Sequence, residues 1–207
     1  TRESALQALV RLGNDAIPML VKLADDAHKS DLVRLQAWTA ISEIGTIEAL
    51  DSLVNRMMTT WGTTRRNILR RLLKMPGEIG IEGVLERVGR SGVEILVEQE
   101  LMFLGQIYAG IVDLSGVSIN SENSLSSALE KSNGKLTTDY TEILLRSLQL
   151  LELDAIEQCF LLMKLLYPLG SIKAAALNIN SDSRSNVARG LEILDNTVDI
   201  SCKRSLI

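Results

Sequence analysis

Rings, prolines and histidines are all scarce in this chain. Of 207 residues, 3% are aromatic, three are proline and one is histidine. A core with so few rings must be built from Leu, Ile, Val and Ala. That suits helices packed on helices better than a β-sandwich, whose strands favour aromatic and β-branched side chains. The single histidine, His28, excludes His-based triads, His-rich metal sites and the His-x-x-x-His zinc pattern together. It falls in a polar turn, Asp25-Asp26-Ala27-His28-Lys29-Ser30, and is expected to be solvated. Two cysteines, Cys159 and Cys202, lie far apart and outside any metal-ligand spacing, so they read as reduced thiols of a cytosolic protein, with a single long-range disulfide as the alternative. Basic residues are outnumbered, 22 to 26, giving a net charge of -4 and a pI near 5.2. Nucleic-acid binders draw affinity from Lys and Arg on phosphates, so an acidic chain needs one strongly basic face to join them. The uncharged stretch Leu101 to Val112 falls short of the ~20 residues that cross a bilayer. No signal-peptide pattern is read at the start. The first residues already read as helix, and the sequence is expected to be a piece of a longer chain.

What is present is a repeat. Ala5, Ala8, Leu9, Leu12 and Gly13 align with Ala37, Ala40, Ile41, Ile44 and Gly45 at an offset of 32 residues. The segment from Ala16 to Val21 matches Ala49 to Val54 at 33, and a fainter copy sets Ile47 and Val54 against Ile81 and Val88 at 34. A period of this size is that of a helix pair in an α-solenoid. Inside each unit the helical spacing holds: Ile17, Leu20, Val21 and Ala24 form one stripe, and Ile47, Leu50, Val54 and Met57/Met58 another. Leu35, Trp38, Ile41 and Ile44 share a face in the helix between them. Asp15 reads as an N-cap, Pro18 as a first-turn residue, and Gly13 and Gly45 as left-handed stops.

Further on, Val97, Leu101, Leu104, Tyr108 and Ile111 define a long helix from about Gly92 to Asp113. Residues 115–139, rich in Ser and Asn, read as an insertion or spacer, with only Ser124 to Ser132 helical. It divides N-terminal repeats (1–114) from C-terminal helices (140–207). The latter are expected at Thr141 to Leu151, at Asp154 to Tyr167 (with Ile156, Phe160, Met163 and Tyr167 on one face), at Ile172 to Leu177, and after Asp182, where Val187, Leu191, Leu194 and Val198 align. No segment alternates with period two. The fold class is all-α: antiparallel helix pairs in a right-handed α-α superhelix.

The pattern Val33-Arg34-x-x-Ala37, Ala40-Ile41-x-x-Ile44-Gly45, then Ala49-Leu50 and Leu53, resembles a HEAT repeat over roughly residues 1 to 90. The run from Phe160 to Tyr167-Pro168, with Arg184-x-Asn186-x-Ala188-x-x-Leu191-Glu192-x-Leu194-Asp195-Asn196, is similar to a HEAT-like segment of bacterial multidomain proteins. Those proteins carry a major-facilitator or ATP/ADP-translocase-like transporter domain. Gly190 departs from that pattern, where a stronger helix former is expected. These resemblances imply a non-catalytic scaffold that binds a protein partner or a neighbouring domain, cytoplasmic and forming the soluble regulatory part of a larger transporter-like membrane protein. Some HEAT-like proteins resemble bilin lyases, so handling a tetrapyrrole is the alternative; a nucleic-acid-binding solenoid is a third.

No catalytic residue, metal ligand or cofactor site is assigned. Glu78, Glu82 and Glu86, and Glu94 and Glu98, recur at spacing four but read as an acidic outer face. Glycines at 77, 80 and 83 lack the Lys-Ser/Thr of a phosphate loop. The one local reversal of charge is a helix bearing Arg65, Arg66, Arg70, Arg71 and Lys74, which are the candidate partner-binding residues. The competing expectation is that they pair with carboxylates on adjacent helices. Trp38 is read as core. Trp61 is read as partly buried at a helix junction, with an exposed anchor as the alternative.

Overall fold

Gly13 and Gly45 adopt φ of +63° and +67°, a region that costs an L side chain but not glycine, and they turn the chain at equivalent points of successive repeats. The computed structural model describes residues 2–75, 79–122 and 131–200, with side chains for 4–75, 79–114 and 140–200. Its helices are α1 (Arg2–Leu12), α2 (Ile17–Asp25), α3 (Asp31–Ile44), α4 (Ile47–Thr59), α5 (Gly62–Leu72), α6 (Ile81–Glu122), α7 (Lys131–Leu166), α8 (Leu169–Ile179) and α9 (Arg184–Thr197). There is no strand among the described residues.

The helices follow one another in a row. Every substantial contact joins helices one or two steps apart, from α1 on α3 through α4 on α6 to α8 on α9. This is an all-α helical-repeat solenoid, in which each helix hides its apolar stripe only by stacking on the next. Ile17, Leu20 and Ala24 of α2, Trp38 and Ile41 of α3, and Leu50, Leu53, Val54 and Met57 of α4 are buried, as the stripes require. Ile47 is instead 62% exposed, because it sits at the edge of the face centred on Leu50 and Leu53. In the second half α7 is the central member: Cys159, Phe160, Leu161, Leu162 and Met163 are consecutive and all buried. A helix covered on every side has neighbours on every side, and α5, α6 and α8 supply them.

Several boundaries differ from the sequence reading. Asp15 does not cap α2; a 3-10 turn (Gly13–Ala16) carries α1 into α2, leaving no extended residue from which a side chain could cap. Pro18 does lie in the first turn. The helix expected from about Gly92 does start close to that point, directly after Gly89, whose φ of 74° and ψ of 161° are accessible only to glycine and break α6 into a short first part from Ile81 and a long second part. It runs on to Glu122, and α7 begins at Lys131, so helix enters the expected spacer from both sides. Of the expected helix Ser124 to Ser132, residues 124–130 lie outside the described ones. The two helices expected within 141–167 are one, because Asp154 takes an ion pair rather than capping a new start.

Polar bonds tie the repeats at the same offset as the sequence match. Thr46 accepts from the Ala49 N–H at 3.3 Å, capping α4, and its hydroxyl donates to Asn14 Oδ1 in the equivalent turn of the preceding repeat. Arg34 donates from Nε to the Ala24 carbonyl at 3.0 Å, and Arg65 does the same to Met57 at 3.1 Å, each closing the last turn of the preceding helix. Thr46→Ala removes the cap and the inter-repeat bond together, and should cost about 1–2 kcal/mol in urea unfolding. A change under a few tenths would mean water replaces both.

Gly190 has a steric reason. A Cβ there would stand 2.7 Å from Ile179 Cγ1 and 3.0 Å from the Ile179 backbone N, so α9 lies against α8 at van der Waals range. Glycine to alanine in a helix ordinarily stabilises by about 1 kcal/mol. Here Gly190→Ala should lower stability, by about 1–2 kcal/mol, as overpacking does. A rise in melting temperature would contradict the close approach.

Candidate functional site

The basic helix α5 is tied inward along much of its length. Arg65 is buried, and its Nη1 lies 2.8 Å from Glu100 Oε1, with both side chains under 10% exposed. Burial pushes the Glu100 carboxyl above its ordinary range, and the Arg65 guanidinium limits the rise. Arg66 pairs with Asp154 and, at 3.7 Å, with Glu157; Arg70 donates from Nε to Glu157 at 2.8 Å. Arg71 is half-buried and Lys74 exposed, and neither forms an ion pair among the described residues. Arg65, Arg66 and Arg70 thus fasten α5 to α6 and α7, while Arg70, Arg71 and Lys74 keep some positive surface toward solvent. Lys164 lies close by, its ammonium pulled below its usual range by burial and then by Lys173.

A second knot joins the C-terminal segment to the middle of the chain. The Tyr167 hydroxyl donates to Asp199 Oδ1 at 2.7 Å and accepts from Arg90 Nη2 at 3.1 Å and from the Asp199 N–H at 3.2 Å. The Arg90 guanidinium stands 5.3 Å from the Tyr167 ring centre. The hydrogen bond from Tyr167 holds the Asp199 carboxyl below its ordinary value, with Arg90 adding to it. Tyr167 itself is raised, by burial and by Asp199. The cluster sits one residue beyond the Gly89 break, where it fixes the direction in which α6 resumes.

The feature the sequence reading missed is apolar. On α6, Met102 (69% exposed), Tyr108 and Val112 face outward; on α7, Tyr140, Ile143, Leu144, Leu150 and Leu153 do the same. The two helices pack on each other, yet both retain large apolar side chains in solvent. Beside α6 lies a groove of about 600 Å³ floored by Leu101, Met102, Leu104, Gly105 and Tyr108, with Glu98 and Glu152 at its rim. The signal was in plain view: Ile143 to Leu153 carries apolar residues at spacings that cover every side of a helix, more than one neighbour can bury. The same density makes α6 long and apolar enough to cross a bilayer by length and composition, where the uncharged run alone had read as too short. In this structure Glu100 of that stretch is buried against Arg65, and Val97, Leu101 and Ile107 belong to the core.

The remaining sequence candidates are quiet. His28 is exposed, its backbone N–H donating to Asp26 Oδ1 at 2.9 Å. Cys159 is a buried free thiol lining a void of about 160 Å³ between α6, α7, α8 and α9, and Cys202 lies outside the described residues. Among the described residues no three carboxylate, thiol or imidazole groups stand close enough to hold a metal; Glu78 is outside them. Trp38 is core at 2% exposure. Trp61, read as partly buried, is 75% exposed, since it precedes α5 in extended backbone with no helix above it.

The fold and these surfaces define a helical-repeat solenoid. Residues 1–74 match the family model for HEAT repeats, the part of the chain in which left-handed glycines and arginine closures recur at about one repeat's spacing. No curated protein and no solved structure matches the chain.

Proposed function

We propose that this chain is a non-catalytic scaffold that binds a protein partner or a neighbouring domain through the exposed apolar surface of α6 and α7. HEAT repeats supply helical scaffolds for protein interaction, and residues 1–74 carry them. The observation that carries the reading is the run of large apolar side chains left in water on two adjoining helices. Contiguous apolar patches beyond a few hundred Å² mark interaction surfaces on soluble proteins. Arg70, Arg71 and Lys74, with Lys164 close by, form a subsidiary basic surface for acidic groups of the same partner.

Attachment to a larger transporter-like membrane protein rests on the likeness of Phe160 to Pro168 and Arg184 to Asn196 to such chains. Its test is the full reading frame: membrane spans before Thr1 are the expected result, and a frame without any would remove this part of the reading.

The docking face itself is tested with the full chain carrying Ile143→Glu and Leu150→Glu. These side chains are 63% and 61% exposed, so the melting temperature should hold. Retention of partners from native extract should fall about tenfold or more, as loss of two apolar anchors implies. Equal retention by variant and parent would sink the docking face.

A further inference from the structure

The α8–α9 hairpin is closely packed within itself and loosely seated on the rest of the chain. Its two helices pack chiefly on each other, and α8 on α7 is the hairpin's other substantial contact among the described residues. Between α9 and the pair α6–α7 lies the cavity of about 160 Å³. One wall belongs to α6 and α7, with Cys159, Phe160 and Met163 buried in it; Ile179, Leu191 and Leu194 of the hairpin form the other. Two fixtures stop the hairpin from settling into this space. Gly190 already holds α9 at van der Waals range of Ile179, and hydrogen bonds among Tyr167, Asp199 and Arg90 fasten the base of the hairpin. A core relaxes only partly around a space that its framework holds open. Among the described residues, every side chain lining the cavity is apolar or sulfur-bearing. Water stays in such a site only where about two to four polar groups bind it, so this lining favours an apolar occupant. Size follows from volume: a cavity of about 150 Å³ lined by Leu, Ile and Phe takes up benzene.

We propose that this cavity is a binding site for a compact, uncharged apolar molecule the size of one six-membered ring, held between the α8–α9 hairpin and α6–α7. The inference does not depend on the docking face. Leu104, Ile156, Ile179 and Leu191 line the cavity but are only half-buried, so entry lies among them. Ile179 ends α8, at the tip of the hairpin away from its fastened base, where the least movement admits a ligand. Once inside, the ring supplies the dispersion contacts that α9 lacks with α6 and α7, and the folded state gains by it. A charged analogue of the same shape loses its hydration without a partner in return.

The experiment uses the full chain, with benzene as the probe and benzoate as its charged counterpart. Benzene should raise the melting temperature saturably, by roughly 3–6 °C at ten times its dissociation constant. Benzoate at the same concentration should leave it unchanged. Location is read at Cys159 in the Cys202→Ser variant, which keeps one thiol. Modification of that thiol by a small uncharged methanethiosulfonate should slow about tenfold at the same benzene concentration, since only the unoccupied fraction reacts. Leu191→Phe brings a ring into the cavity from α9 and should weaken benzene binding about tenfold or more. Ile156→Phe does the same from α7, so the result does not hang on the folding of one variant. A melting temperature that stays put up to the solubility limit of benzene would overturn the proposal, as would an equal rise with benzoate. So would a Cys159 that reacts as fast with benzene as without it. A benzene shift that survives both filling substitutions would put the ligand elsewhere, in the groove beside α6 for instance, and would overturn it too.

Discussion

Glu100→Ala should destabilise the chain by about 3–5 kcal/mol, measured by chemical unfolding at neutral pH. The substitution strands the Arg65 guanidinium in the core with its main acceptor gone; only the Met57 carbonyl, 3.1 Å from Nε, remains. Glu100→Gln keeps an oxygen in reach of Nη1 and should cost much less. Burial raises the Glu100 carboxyl in the folded chain above its ordinary value, so the native state holds this proton more readily than the unfolded state. By linkage, the wild type then loses stability from this group as pH rises from the ordinary carboxylate range through the folded value. Glu100→Gln does not titrate, so its stability relative to wild type should improve across that window. Replacing the pair together, Arg65→Met with Glu100→Leu, should recover most of the loss, because an apolar pair needs no desolvation of charge. A double variant as unstable as Glu100→Ala would show that the pair does more than neutralise itself.

Trp38→Ala is the second large effect, about 3–5 kcal/mol, since it empties a site where the ring is 2% exposed among the stacked helices of the first repeats. Trp61→Ala should stay within about 0.5 kcal/mol, as substitutions in solvent do. Fluorescence separates the two: acrylamide should quench Trp61 freely and Trp38 hardly at all. Comparable quenching of both single-tryptophan variants would contradict the placement of Trp38.

Local chemistry was legible in the sequence wherever it needed only the backbone. Gly45 terminates α3 in the left-handed region and Pro18 sits in the first turn of α2, as residue type alone requires. The apolar stripes of α2 and α3 found the core because helical spacing identifies a face. What spacing cannot identify is the neighbour that covers it. Arg65 and Arg66 are adjacent in sequence, yet one is buried against Glu100 and the other reaches Asp154, since α6 and α7 approach different sides of α5. The same limit hid the meaning of Gly190, which reads as a weak helix position until α8 is seen against it. It also hid the docking face: the apolar residues of Ile143 to Leu153 mark a helix without saying which of them a neighbour covers, and the shortage of neighbours in the row leaves several of them in water.

The central claim is that stability passes from helix to helix along a row, with no shared centre. Native-state hydrogen exchange of the Glu100→Ala variant tests it directly. In a row, amides of α5, α6 and the adjoining part of α7 lose protection strongly while those of α2 keep most of theirs, because coupling is carried by nearest neighbours. A uniform loss from α2 to α9, as a single cooperative core would give, would contradict it.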